Sequence, residues 1–200
     1  SVKGYRLDHP VDNERDHILG PNAAQITLVE YGSYACPYCR AANEQLAKIR
    51  DELGDRMRYV FRHRPLTGNE LARRAAELAE RAPDEKSFWS AHIELMTRSE
   101  TLTDEDLLAV STALHLQDTD GIEFEATVER ARQRVDADER SARASGVMIT
   151  PTFFINGRRY DGAWDESSLT DAMFGRLGHR VRVAALDFVS WGPSAGVLLI

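Results

Sequence analysis

Ile26-Thr27-Leu28-Val29-Glu30-Tyr31-Gly32-Ser33-Tyr34-Ala35-Cys36-Pro37-Tyr38-Cys39 carries the fold-deciding information of this chain. The apolar run 26–31 reads as a buried strand, and Gly32 and Ser33 break it. Ala41 to Ile49 reads as a helix, with Leu46 and Ile49 spaced for one buried face. Between the two stand the only cysteines among 200 residues, three positions apart. A Cys-x-x-Cys pair that follows a strand and opens a helix is placed for redox chemistry. The thiolate, not the thiol, attacks a disulfide. A helix N-terminus offers unpaired N–H groups and partial positive charge, which favour an anion at Cys36. Pro37 suits the first turn because it has no N–H to leave unpaired. Cys39 lies one turn on, on the same side. Cys36 is therefore the expected attacking thiol and Cys39 the resolving thiol.

Two other uses of a cysteine pair are disfavoured. Structural zinc takes four protein ligands, and the six histidines are scattered without ligand spacing to the pair, so no metal is expected. A static disulfide over two intervening residues closes a very small loop and adds little stability. A second marker lies far downstream. Val147-Met148-Ile149-Thr150-Pro151-Thr152-Phe153-Phe154-Ile155 is an apolar strand with a proline at its entry, where proline is tolerated. Asn156-Gly157 then supplies a hairpin turn into Arg158-Arg159-Tyr160.

With Cys36-Pro37-Tyr38-Cys39, Thr150-Pro151 and Thr152-Phe153-Phe154-Ile155-Asn156-Gly157, the chain resembles the thioredoxin superfamily, and within it the DsbA-like thiol–disulfide oxidoreductases. The resemblance covers about residues 14 to 175. It implies an α/β thioredoxin-like fold, a central mixed sheet flanked by helices, with an inserted all-helical subdomain. It implies a cis Thr150–Pro151 bond facing the cysteines, and a substrate groove shaped by Pro37, Tyr38, Thr150 and Pro151, with Thr150 offering its backbone. It also implies a buried acid six residues before the attacking cysteine. Glu30 holds that position, and burial raises a carboxyl pKa into a range suited to proton transfer with Cys39. The electrons reside in the Cys36–Cys39 disulfide, so no separate cofactor is expected. Members of the family often carry Pro-His between the cysteines. Tyr38 adds no positive charge beside the thiolate, so a less oxidising couple than the strongest members is expected.

The middle of the chain separates this family from a minimal glutaredoxin. Met57 to Phe61 reads as a second strand, and more than eighty residues pass before Thr150. They read as helices over 70–81, 87–97, from Thr103-Asp104-Glu105-Asp106 onward, and over 122–145. The expected organisation is a lead-in over 1–22, a core over 23–64 and 146–178, a helical insert over 65–145, and an apolar tail over 179–200. Arg62, His63 and Arg64 read as a loop after the second strand, and the Arg-rich stretch 130–143, interleaved with acids, as a solvated helix face. Asp165 to Leu177 reads as the closing helix of the core.

The net charge of −7 gives no reason to expect nucleic acid. The N-terminus carries no apolar signal region, which leaves open removal of a signal or a protein that stays where it is made. The tail, with Trp191 before Gly196-Val197-Leu198-Leu199-Ile200, is too short and interrupted to span a membrane but resembles the start of a membrane segment. It is similar to the DsbA-like domains fused to NhaA-type sodium/proton antiporters, so an attached transporter beyond residue 200 is an expected partner. The alternative is a tail that docks on the fold or on a second copy. The expected activity is disulfide exchange with protein substrates and a redox partner. The alternatives are a redox-sensing regulatory domain of a membrane transporter, a glutathione-linked glutaredoxin-type or isomerase activity, and a chaperone-like binding module.

Overall fold

The structure, a computed structural model, describes residues 6–118 and 121–174. Chain contacts divide it into two units, Ser1–Asp161 and Gly162–Ile200. In the first, five strands form one mixed sheet: β1 (His17–Leu19), β2 (Ile26–Gly32), β3 (Met57–His63), β4 (Thr152–Ile155) and β5 (Arg158–Tyr160). Their order across the sheet is β1-β3-β2-β4-β5. Only β2 and β3 run parallel, with Leu28 opposite Tyr59 and Glu30 opposite Phe61. Helix α1 (Pro37–Leu53) makes the crossover between them. Central strands in such a sheet are covered on both faces, and β2 is buried at six of its seven residues. Val29, Tyr31, Val60, Ala142, Val147 and Phe154 pack as one apolar cluster.

Four helices fill the sequence between β3 and β4: α2 (Glu70–Glu80), α3 (Glu85–Thr97), α4 (Asp104–Ala113) and α5 (Gly121–Ala144). Each of the first three starts where a side chain caps it: Asn69, Asp84 and Thr103 accept the N–H of Ala72, Ser87 and Asp106. Such caps satisfy donors that the helix itself leaves unpaired. At Thr103 the cap is reciprocal, because Asp106 accepts the Thr103 N–H in return. Phe88 and Trp89 are core, whereas Ile93 and Leu108 face solvent. The Asn156-Gly157 turn has positive φ at both residues, 48° and 80°, the conformation that lets a two-residue hairpin follow strand twist.

Two readings of charged residues are corrected. Arg62 and His63 are the last residues of β3, not a loop, and both are buried. They end the strand inside the protein because acids come to meet them. Arg62 Nε and Nη2 donate to the two Asp16 carboxylate oxygens at 2.9 and 3.0 Å, and Nη1 donates to Tyr31 Oη at 2.9 Å. Burial, the largest single influence, pushes Asp16 upward, but the Arg62 hydrogen bonds and charge, the Asp12 N–H and the charge of Arg134 together outweigh it and hold the carboxyl below its usual range. His63 Nε2 and His17 Nε2 share one oxygen of Glu80, at 2.6 and 2.8 Å. The other nitrogen of His17 meets Glu85 at 2.7 Å. Burial opposes the His17 charge, but the two carboxylates prevail and lift its pKa to about 9. Arg134, expected in solvent, sits 3.2 Å from Asp138 and 3.7 Å from Asp16. Buried ions persist where partners surround them, and strand spacing in sequence does not report those partners.

In the second unit, residues 166–174 are helical. Asp165 caps that helix by accepting the Ser168 N–H at 3.0 Å. The remainder of the expected closing helix and the apolar tail lie outside the described residues. Among the described residues no helix is long and apolar enough to cross a membrane.

Candidate active site

Cys36 is the N-cap of α1, and Pro37 occupies its first turn. The Cys36 backbone is extended, with φ −148° and ψ 105°. That conformation turns Sγ back over the helix start, where it accepts the Cys39 N–H at 3.2 Å. Thr150 Oγ1 donates to the same sulfur at 3.4 Å, and the Thr150 carbonyl lies 3.6 Å from it. The Thr150–Pro151 peptide is cis. Two segments separated by more than a hundred residues thus meet at one sulfur. The hydrogen bonds from the Cys39 side outweigh burial, and with that of Thr150 they bring the Cys36 pKa down to about 6. Cys39 is fully buried. Burial first, then its coupling to Cys36 and the charge of Glu30, push its thiol far above the ordinary range. The pair is thus split into one thiol that ionises readily and one that needs help.

Glu30 lies beneath the pair and has no exposed surface. Tyr59 Oη donates to its Oε2 at 2.6 Å, and Asn43 Nδ2 is 3.1 Å from each carboxylate oxygen. The same Asn43 amide donates to the Cys39 carbonyl at 2.9 Å. Burial dominates over these donors and raises the Glu30 pKa to about 8. Asn43 and Tyr59 also line a cavity of about 270 Å³ with Arg40, Leu46, His92 and Met96. The donors of Glu30, though not Glu30 itself, therefore border this opening. Gly32 passes close overhead. A Cβ there would stand 2.6 Å from Phe61 Cε2 and 2.9 Å from Glu30 Oε1, so the acid's pocket requires glycine at the strand end.

Around Cys36 the structure sets Cys39, Pro37 and Tyr38 on α1 and Thr150 and Pro151 before β4, while Glu30 on β2 connects to the Cys39 carbonyl through Asn43. Tyr38 projects into solvent at 69% exposure, and Met148 and Ile149, at 82% and 66%, do so just before Thr150. Three further residues were missed. Asn43 follows Cys39 by four positions, the spacing of one helix face. Tyr59 is a polar-tipped side chain in an apolar strand, a weaker signal. Ser99, in the turn between α3 and α4, has no sequence signal at all, yet its hydroxyl contacts the Cys36 backbone at 2.8 and 3.0 Å.

Residues 12–173 match a family model described as thioredoxin. Over 194 residues the chain is 56% identical to the Na(+)/H(+) antiporter NhaA of Nitrosospira multiformis, covering 97% of this chain and 31% of that protein. Over 165 residues it is 39% identical to Na(+)/H(+) antiporter NhaA 1 of Salinispora arenicola, covering 82% and 25%. The chain thus spans less than a third of the length of these relatives. Among solved structures, oxidised BdbD from Bacillus subtilis superposes with a TM-score of 0.65 at 22% identity, covering 88% of this chain and 97% of that one. Alpha-DsbA1 of Wolbachia pipientis gives 0.67 at 20%, covering 88% and 96%. A thioredoxin-like oxidoreductase from Silicibacter pomeroyi gives 0.64 at 26%, covering 86% and 94%.

Proposed function

Because the chain belongs to the thioredoxin family and has the DsbA-type fold, we propose that it is a thiol–disulfide oxidoreductase acting on proteins through Cys36 and Cys39. The observation that carries this reading is the split pair: a hydrogen-bonded Cys36 sulfur at a helix N-terminus beside a buried Cys39. The Cys36 thiolate attacks one sulfur of a substrate disulfide. That S–S bond breaks, the first substrate thiolate leaves and takes a proton from water, and a mixed disulfide forms at Cys36. Cys39 gives its proton to the Glu30 carboxylate and attacks Cys36 Sγ. The mixed disulfide breaks, the second substrate thiolate leaves and is protonated, and the Cys36–Cys39 disulfide forms. The substrate has gained two electrons and two protons, and the pair has lost two electrons and the Cys39 proton, the other proton having gone to water when the Cys36 thiolate formed. Run backwards, the same steps oxidise a substrate dithiol. No separate cofactor enters, only a redox partner that resets the pair.

Glu30 serves both directions because its pKa of about 8 lies close to neutrality. Tyr59 and Asn43 hold its carboxylate and border the cavity through which its proton reaches water. Tyr38, Met148 and Ile149 form an exposed apolar face for an extended substrate segment, with Pro37, Thr150 and Pro151 at its floor.

The test is the titration and potential of the reduced pair. Iodoacetamide should react with Cys36 at a rate that rises with pH through about 6 and levels off above it. Thiolate stabilisation makes a disulfide more oxidising by about 30 mV for each pKa unit. DsbA, with a thiol near 3.5, stands at about −120 mV, and thioredoxin, near 7, at about −270 mV. A Cys36 thiol at about 6 therefore falls between the two, at about −200 mV counted from DsbA and about −240 mV counted from thioredoxin, measured by thiol trapping in glutathione buffers. A potential near either extreme would contradict the site chemistry described.

A second reading is supported by the relatives named as antiporters. In it, the redox state of Cys36–Cys39 regulates an attached sodium/proton transporter. In vesicles bearing the full-length Nitrosospira relative, sodium-driven proton movement should change at least about twofold between reduced and oxidised states. An unchanged rate counts against regulation.

A further inference from the structure

The attacking cysteine is held from behind by the helical insert. Ser99 lies in the turn between α3 and α4 and is buried. Its Oγ accepts the Cys36 N–H at 2.8 Å and donates to the Cys36 carbonyl at 3.0 Å. A cap residue's own N–H has no use inside the helix it caps, and a buried N–H must be paired somewhere. Here one hydroxyl answers both backbone polar groups of the same residue. The neighbouring Glu100 reaches Arg40 of α1 at 3.1 Å, so the turn grips the start of α1 at two points. The turn is itself tied to the C-terminus of α3, with the Ser99 N–H on the Met96 carbonyl at 3.2 Å.

We propose that Ser99 is a positioning residue for Cys36, through which the helical insert sets the ionisation and redox balance of the pair. The sulfur reaches the Cys39 N–H and Thr150 Oγ1 only while the Cys36 backbone keeps its extended conformation. Ser99 holds that backbone through both of its hydrogen-bonding groups. When the turn lets go, Cys36 is free to rotate, the sulfur loses its donors, and the thiolate is favoured less. The insert then acts on the chemistry without touching substrate or sulfur. Displacement of the α3–α4 turn by a bound partner would move the couple toward the reducing side.

This inference rests on the oxidoreductase reading of Cys36. Its test is thiol titration of the whole chain carrying Ser99→Ala, which needs no substrate. The thiolate-to-thiol ratio of Cys36 is expected to fall about tenfold, seen as an iodoacetamide rate profile displaced to higher pH. The equilibrium constant against glutathione should shift tenfold with it, which is about 30 mV. A variant that melts earlier but keeps the parent's rate profile would reduce Ser99 to a structural contact and overturn the proposal. Amide exchange in the unmodified protein supplies an independent measurement should the variant fail to fold. The Cys36 N–H should exchange no faster than the amides of Arg98 and Ser99, because it is released only when the turn opens. A Cys36 amide that exchanges freely while those are protected would also overturn it. A parent that titrates as described yet exchanges no disulfide would instead refute the oxidoreductase reading alone.

Discussion

Cys36→Ser is expected to lower disulfide exchange by at least about a thousandfold while the protein stays folded. The two halves of that statement have separate causes. Serine is among the best N-cap residues, and its oxygen can accept the Cys39 N–H as the sulfur does. The start of α1 and the Ser99 contacts to the backbone therefore survive. What is lost is the nucleophile: a hydroxyl is hardly ionised at neutral pH, and no group at the site takes its proton. Cys39 offers no substitute, since it is buried and its thiol is pushed far up. Cys39→Ser should behave differently. Attack by Cys36 persists, resolution stops, and the protein accumulates as a mixed disulfide with its substrate. Reduction of a protein disulfide, followed alongside trapping of mixed disulfides on non-reducing gels, distinguishes the variants. Exchange by Cys36→Ser within tenfold of the parent would refute the assignment of the attacking thiol. Undiminished binding of unfolded chains by the same variant, with no exchange activity in the parent, would favour the chaperone-like module.

Asp16→Ala is expected to destabilise the fold by about 3–5 kcal/mol, the usual cost of leaving one member of a buried pair alone. Arg62 has no exposed surface, and its Nε and Nη2 both donate to Asp16. Tyr31 and Ser141 provide further oxygens at 2.9 and 3.3 Å, but no countercharge. Arg134, 3.7 Å from Asp16, loses an ionic neighbour as well. The double change Asp16→Leu with Arg62→Met should cost less than Asp16→Ala, because no uncompensated charge stays behind. Urea unfolding of the three proteins at one pH tests this. A loss below about 1 kcal/mol for Asp16→Ala would mean that Arg62 finds another counterion or water.

The contrast between these two sites shows what could be read without a structure. The redox centre is local: strand, glycine, cysteine pair and helix follow one another within fourteen residues, and each chemical requirement leaves its mark on residue type and spacing. Thr150-Pro151 is distant, but it is recognisable because proline at a strand entry is restricted and because the pattern is shared with a family. Glu30 is legible as an acid in an apolar strand, and its burial follows from the covered centre of the sheet. Arg62 and His63 read as lying beyond β3 because a charged residue after an apolar run ordinarily signals a strand end at the surface. Here β3 continues through them, since Asp16, Glu80 and Asp138 converge from three other parts of the chain.

By itself the sequence indicated the strands near 26–31 and 57–61, the helices that follow them, the cysteine pair, the proline and the acid, because these depend on local backbone preference and on the face a residue presents; β1 (His17–Leu19) falls in the stretch read as a lead-in and left no such signal. Only the tertiary structure decided how that chemistry is tuned. The Thr150 donor on Cys36 Sγ, the Tyr59 and Asn43 hydrogen bonds to Glu30, the Ser99 grip on the Cys36 backbone and the buried pairing of Arg62 with Asp16 join residues from 13 to 114 positions apart. Hydrogen bonds and charges act over a few ångströms in space, and only the folded chain sets those distances.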